Sequence, residues 1–182
     1  MTAALRSTRS LRRTAALGLA TVGALAATPT IAAAAATAGA DGDIDCVAIA
    51  ESIAPPAEIS TFFELAMQST GGLDGPGTLL VPIDAAFAAI PENVLSMITD
   101  DAELLDALVG YHYIADQLLS VDELVTAATV ASSIGAELGF ERADDGIVGI
   151  DGGAAMVLCP DIANGGLMIH VIDGVLQPPT AV

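Results

Sequence analysis

Apolar residues recur at helical spacing through much of the first half of the chain. The clearest stripe follows i, i+3, i+4, i+7 and i+8 spacing, and its members are Ile59, Phe62, Phe63, Ala66 and Met67. Such a stripe predicts an amphipathic helix, which Gly71-Gly72 should end. A second stripe predicts a longer helix that begins at Asp100-Asp101, where acidic residues suit the helix dipole. Its members are Leu104, Leu105, Leu108, Tyr111 and His112.

A strand and two short helices are predicted between these two helices. Residues 78–81 form an apolar run of strand length. Asp84 follows where an N-cap belongs, so its carboxylate is expected to accept from the first free N–H groups of the next helix. Phe87, one turn later, is expected to face the core. Pro91 opens another helix, whose apolar positions are expected to be buried: Val94, Leu95 and Ile98.

The pattern becomes strand-like in the second half of the chain. Glu137–Arg142 and residues 147–150 flank Asp144-Asp145-Gly146, which predicts a β-hairpin. Residues 154–159 and Leu167–Ile172 predict two further strands. Helices first and strands later indicate an α+β fold rather than an alternating α/β fold.

The first 38 residues have the features of a signal peptide. Four arginines precede an uncharged run rich in Ala, Leu and Val, and Ala34-Ala35-Ala36 and Ala36-Thr37-Ala38 both fit an A-x-A cleavage site. The strongly apolar stretch, about residues 15–27, is short for a membrane span. We therefore expect residues 1–38 to be removed on export, with retention as a membrane anchor as the alternative. Residues 39–43 then form an acidic tail, and residues 44–179 form the folded domain.

The charge beyond residue 38 is almost entirely negative. Of the five Lys and Arg residues only Arg142 lies there, together with all 23 acidic residues. A surface of this charge excludes nucleic acid and anionic membrane surfaces as electrostatic partners. High solubility is the simplest role for the acids, and attraction of cationic partners or divalent ions is the alternative.

Cys46 and Cys159 are the chain's two cysteines, and they lie near opposite ends of the expected domain. Export favours a disulfide between them. The alternative is a pair of reactive thiols, which the neighbouring Asp45 and Asp161 disfavour because negative charge opposes the thiolate.

Three segments resemble the motifs of the fasciclin domain family. They are residues 78–91, the Tyr111-His112 pair and residues 168–179. The resemblance extends over about residues 44–179 and is to the secreted single-domain bacterial members, some of which also carry one cysteine near the start and one before the last motif. It implies a compact wedge, in which a twisted β-sandwich has helices packed at one side. It also implies structural roles for Asp84, Phe87, Tyr111, His112, His170 and Asp173.

The same resemblance implies an exported binding or adhesion module, secreted or displayed at the cell surface, that is not an enzyme and needs no cofactor. Asp161-Ile162 is similar to an Asp-Ile segment credited with integrin binding in some animal matrix members, which makes these two residues candidates for partner contact. An exposed Asp in a strand-to-turn connection is the alternative. The expected partner is an extracellular protein or polysaccharide, and the chain is expected to be a monomer.

Candidate chemistry is sparse in this sequence. His112 and His170 are the chain's two histidines, and neither has a partner at metal-ligand spacing. We therefore predict hydrogen-bonded structural histidines, no metal site and no catalytic residue. The sequence contains neither a Gly-x-Ser-x-Gly nucleophile elbow nor a phosphate-binding glycine motif. From another functional class, the alternatives are a small-ligand carrier or a hydrolase that uses Asp and His.

Overall fold

The computed structural model describes residues 44–52, 54–71, 73 and 75–179. The expected signal peptide, residues 1–38, and the acidic tail, residues 39–43, lie outside the described residues, and both stay predictions. All described residues belong to one unit of the chain.

Short helices dominate the first half of the described chain, as the apolar stripes predict. Asp45 and Asp101 each accept two backbone N–H groups at the start of a helix, and Ser120 forms a reciprocal capping box with Glu123 at another. None of the described helices is long and apolar enough to cross a membrane. The helices are α1 (Cys46–Glu51), a 3₁₀ turn (Ala57–Ile59), α2 (Ser60–Gln68), α3 (Asp84–Ala88), α4 (Glu92–Asp100), α5 (Ala102–Tyr111) and α6 (Val121–Ala127).

The described strands form a mixed sheet with the order β2-β1-β7-β6-β5-β4-β3. Neighbours are antiparallel except β1 and β7, which run parallel. The sequence predicts the bounds of β4 and β7 correctly, but it does not reveal β2 and β3, because three residues are too few to show alternation. The strands are β1 (Gly77–Pro82), β2 (Tyr113–Ala115), β3 (Thr129–Ala131), β4 (Glu137–Arg142), β5 (Val148–Ile150), β6 (Ala155–Asn164) and β7 (Leu167–Ile172).

The two outer strands of this sheet approach one another. The N–H of Ser133, just after β3, donates to the carbonyl oxygen of Tyr113 in β2 at 2.7 Å. This bond joins the two ends of the strand order, so the sheet nearly closes on itself. Helices first and a mostly antiparallel sheet later confirm the predicted α+β class.

Apolar cores lie on both faces of the central strands. β1 is buried along its whole length. Leu79 and Val81 belong to the core beneath α2 and α5, whereas Leu80 belongs to the core formed with α6 and β4. Successive side chains of a strand point to opposite faces, so β1 is covered on both sides.

The expectation that α4 buries its apolar positions is wrong, since no residue of α4 is fully buried. Val94 is 36% exposed, and Leu95 and Ile98 are only partly buried against the core beneath α2 and α5. Asp101 alone links α4 to α5. Because α5 occupies the position against the core, α4 lies at its periphery.

Candidate functional site

Asp84 and Phe87 lie in α3, directly after β1. The carboxylate of Asp84 accepts from the Thr61 N–H at 2.9 Å and from the Ser60 hydroxyl at 3.0 Å, so it caps the start of α2. The prediction that Asp84 caps its own helix is therefore wrong: α3 begins at Asp84, after Ile83, and has no side-chain cap. Phe87 faces the core at 3% exposure.

His112 follows the last residue of α5 and is fully buried. Its Nδ1 lies 2.8 Å from the carbonyl oxygen of Leu108, and its Nε2 lies 3.1 Å from the backbone nitrogen of Leu176. A carbonyl only accepts and an N–H only donates, so the ring is neutral with its proton on Nδ1. Burial lowers the pKa of His112 to about 4, although the bond to Leu108 opposes this shift.

His170 lies in β7 and is also buried. Its Nε2 lies 2.9 Å from the carbonyl oxygen of Leu119, and its Nδ1 accepts from the Asp161 N–H at 3.1 Å, so the proton is on Nε2. Burial lowers the pKa of His170, opposed by the bond to Leu119 and the charge of Asp161. The Asp161 carboxylate lies 3.9 Å from Nδ1, which makes an ion pair only if the ring gains a second proton.

Tyr111 connects α5 to the strands of the second half. Its hydroxyl donates to the carboxylate of Asp151 at 2.7 Å, and the other oxygen of Asp151 accepts from the Gly139 N–H at 2.8 Å. Burial raises the pKa of Tyr111, and Asp151 reinforces the shift. Asp151 precedes two glycines and no sequence pattern connects it to Tyr111, so this link is apparent only in the structure.

Asp173 joins the end of β7 to the start of β6. Its carboxylate accepts from the Met156 N–H at 2.6 Å, and its own N–H donates to the Met156 carbonyl at 3.1 Å. A Cβ on the following Gly174 would lie 2.6 Å from the carbonyl oxygen of Ala154. Only glycine fits such a close backbone approach, so the Asp-Gly pair fixes where the chain leaves the sheet.

These motif residues lie inside a stretch that matches the fasciclin domain family model over residues 58–178. The chain belongs to the fasciclin domain family. An uncharacterised protein of Synechocystis sp. is 30% identical over 102 residues, which are 56% of this chain and 73% of that protein. Cell surface glycolipoprotein MPT83 of Mycobacterium tuberculosis is 30% identical over 105 residues, 58% of this chain and 45% of that protein.

A solved structure shares this fold. The FAS1 domain pair of the insect cell adhesion molecule Fasciclin I matches with a TM-score of 0.55 and 23% identity, over 68% of this chain and 46% of that chain. The predicted fasciclin-like fold is thereby confirmed. The chain spans less than half the length of the mycobacterial relative and of the domain pair.

A disulfide joins Cys46 in α1 to Cys159 in β6 of the fasciclin domain. The two Cα atoms lie 5.5 Å apart, across a sequence separation of 113. Cys159 is fully buried, so the bond attaches the first described helix to the middle of the sheet.

The two residues considered for partner contact have different environments. Ile162 is 5% exposed and belongs to the core beneath α2 and α5. Asp161 is exposed, at φ 59° where β6 is irregular, and its carboxylate accepts from the Val121 N–H at 2.8 Å. Partner contact stays a prediction here, and it would depend on the Asp161 side chain.

No sequence pattern singles out Asp106, which the structure places at the junction of α2 and α5. Its carboxylate accepts from the Ser69 hydroxyl at 2.6 Å, from the Thr70 N–H at 2.8 Å and from the Thr70 hydroxyl. These bonds hold the pKa of Asp106 down at about 2. Its partners are 36 and 37 residues away in the chain, beyond the reach of any local pattern.

Most polar groups in this arrangement already have hydrogen-bond partners, which limits the chemistry that they can perform. Within the described residues, no three of His, Cys, Asp and Glu are grouped so that they could hold a metal ion. In the same part of the chain every buried side-chain nitrogen and oxygen has a hydrogen-bond partner. Both histidines use both ring nitrogens on backbone groups, so neither is placed to take a proton from a substrate.

Proposed function

We propose that the protein is an exported, non-catalytic binding or adhesion module that acts at the cell surface or outside the cell. The observation that carries this proposal is the fasciclin domain over residues 58–178. Similar proteins include, by their names, a cell surface glycolipoprotein and a cell adhesion molecule. The proposal extends their location and role to this chain.

Two features of the structure support the proposal. The buried histidines are neutral and fully hydrogen-bonded, as suits a scaffold rather than an acid–base site. The disulfide between Cys46 and Cys159 suits an oxidising environment outside the cytosol.

The binding role is tested by measuring how many cells are retained on beads that carry the protein. Purified protein is immobilised on beads, and the retention of cells of the encoding organism is compared with that of a Phe87→Ala variant. This variant keeps the charge of the protein but removes a buried core side chain. The folded protein should retain cells, and the variant should retain far fewer at a temperature where circular dichroism shows that only the variant is unfolded. Equal retention would show that charge alone accounts for the binding and would contradict the proposal.

Export is tested separately by N-terminal sequencing of the protein recovered from the culture medium or the cell envelope. A mature N-terminus close to residue 38 is expected if a signal peptidase cleaves after the small residues. An intact N-terminus on protein recovered only from the cytosol would overturn the proposed location.

A further inference from the structure

A groove of about 530 Å³ runs beside α5 in the described part of the fold. Four of its lining residues come from α5 itself: Glu103, Asp106, Ala107 and Gly110. Their i, i+3, i+4 and i+7 spacing places them on one face of the helix. This face is the floor of the groove, and it carries two acidic and two small residues.

Small residues shape the groove, and at Gly110 the loop after β3 packs directly onto the helix. A Cβ on Gly110 would lie 2.6 Å from the Ile134 Cγ2 atom and 2.9 Å from the Ser133 hydroxyl oxygen, so only glycine allows that loop to approach α5. Ala107 adds a single methyl group to the floor. Ile134 is 44% exposed and lines the groove, so its side chain offers apolar surface at this end, whereas Tyr113 is buried and offers almost none.

Among the residues that the structure describes, none supplies a cation to the acidic end of the groove. The pKa of Asp106 is about 2, so its carboxylate is ionised at neutral pH. Ser69 and Thr70 hold it in place. Glu103, one turn earlier, is exposed. Arg142 is the chain's sole Lys or Arg beyond residue 38, and it pairs with Asp122 at a different place in the fold.

We infer that this groove, formed along Glu103, Asp106, Ala107 and Gly110, binds an extended basic segment of a partner polypeptide. From Glu103 to Ala107 the helix rises about 6 Å, which is the length of about two extended residues. A lysine or arginine lies against Glu103 and Asp106, and a neighbouring apolar side chain lies against Ile134. The inference rests on the proposed binding function and names its surface and the chemistry of its partner.

The test uses a fluorescein-labelled peptide that is composed of lysine, valine and serine. Its binding to the full chain is measured by fluorescence anisotropy at physiological ionic strength. The same peptide with glutamate in place of lysine is the probe control. Glu103→Gln removes one charge from the groove, and Ala107→Leu fills its floor without a change of charge. Glu92→Gln is the matched control, because Glu92 and Glu103 are both exposed acids in the first turn of a helix, but Glu92 does not line the groove.

The lysine peptide should bind, and the glutamate peptide should not. Glu103→Gln and Ala107→Leu should each raise Kd about tenfold, whereas Glu92→Gln should change Kd by less than about twofold. Circular dichroism checks that each variant is folded. Equal effects of Glu103→Gln and Glu92→Gln, or no binding of the lysine peptide, would overturn the inference. If Glu103→Gln and Ala107→Leu proteins retain cells as well as wild type does, the groove is not the binding surface, and the proposed function stands without it.

Discussion

His112, His170 and Tyr111 are polar side chains within an apolar interior, and each has a defined hydrogen-bond partner. Leaving such a group buried and unpaired costs about 1–3 kcal/mol, so the partners matter as much as the residues. The sequence identifies these residues as structural through their apolar neighbours and the family motif. It cannot identify the partners, because Asp151, Leu119 and Leu176 lie 40, 51 and 64 residues away along the chain.

The free energy of unfolding should fall as the pH drops from about 7 to about 5.5. Histidines in the unfolded chain gain protons near pH 6.5, whereas burial keeps the pKa of His112 at about 4 and lowers that of His170. The unfolded chain therefore binds more protons in this window, so stability that is present above pH 6.5 is lost as the pH falls. The loss is roughly 1 kcal/mol for His112, and the lowered pKa of His170 adds a loss of the same sign. Urea unfolding at the two pH values measures this loss.

His170→Asn is the control for this pH dependence. Asparagine keeps one donor and one acceptor but does not titrate, so the variant should lose the part of the dependence that His170 contributes and keep the part from His112, while being less stable at pH 7. A wild-type stability that does not change between the two pH values would contradict the account of two neutral, buried histidines.

Phe87→Ala should lower the free energy of unfolding by roughly 3–5 kcal/mol, because removing a buried ring leaves a cavity. Phe87 is 3% exposed. Phe63→Ala makes the same change at a partly buried position of α2 and should cost less. Chemical denaturation of both variants measures the difference, and a larger loss at Phe63 would show that α3 is not anchored by Phe87.

At the level of helices and strands, the chain's own patterns predict most elements. β4 and β7 have the predicted bounds because each is a six-residue apolar or alternating run. The errors concern how elements meet. Asp84 has the residue type and position of an N-cap, yet its partners Ser60 and Thr61 belong to a helix that precedes it in the chain. The position of α4 at the periphery of the core is likewise not predictable from the sequence, since an amphipathic stripe does not show how deeply a helix is buried.

Asp84→Ala should weaken the start of α2 rather than α3. Loss of a capping carboxylate costs about 0.5–2 kcal/mol, and the Thr61 N–H loses its acceptor. Amide hydrogen exchange should therefore rise in the first turn of α2 more than in α3. Asp101→Ala is the matched control: it removes the cap of α5 and should speed exchange there instead. Faster exchange confined to α3 after Asp84→Ala would contradict the observed capping.

At the scale of the whole molecule, the fasciclin domain is marked by one disulfide and by a large excess of negative charge. The disulfide connects residues separated by 113 positions, a pairing that the two cysteines and the expected signal peptide already suggest. The sequence also indicates the excess of acidic over basic residues, but it does not show that two acids lie on one face of α5 beside a groove. That placement depends on packing between α5 and the loop after β3.

Removing the disulfide should lower the free energy of unfolding by roughly 4–5 kcal/mol, because a long loop is no longer closed in the unfolded chain. The melting temperature of the oxidised protein, with and without a reductant, measures this effect. In the Cys46→Ser, Cys159→Ser double variant the reductant should change nothing. If wild type were equally insensitive to reductant, the bond would contribute no stability.

The most direct test of the central claim is to measure binding and catalysis on the same sample. Wild-type and His170→Asn proteins are immobilised, and cell retention is recorded together with hydrolysis of generic ester and glycoside substrates at a temperature where both proteins are folded. The account predicts that both proteins retain cells equally and that neither turns over a substrate, because the histidines only support the fold. Substrate turnover by wild type that is lost in the folded His170→Asn protein would contradict it.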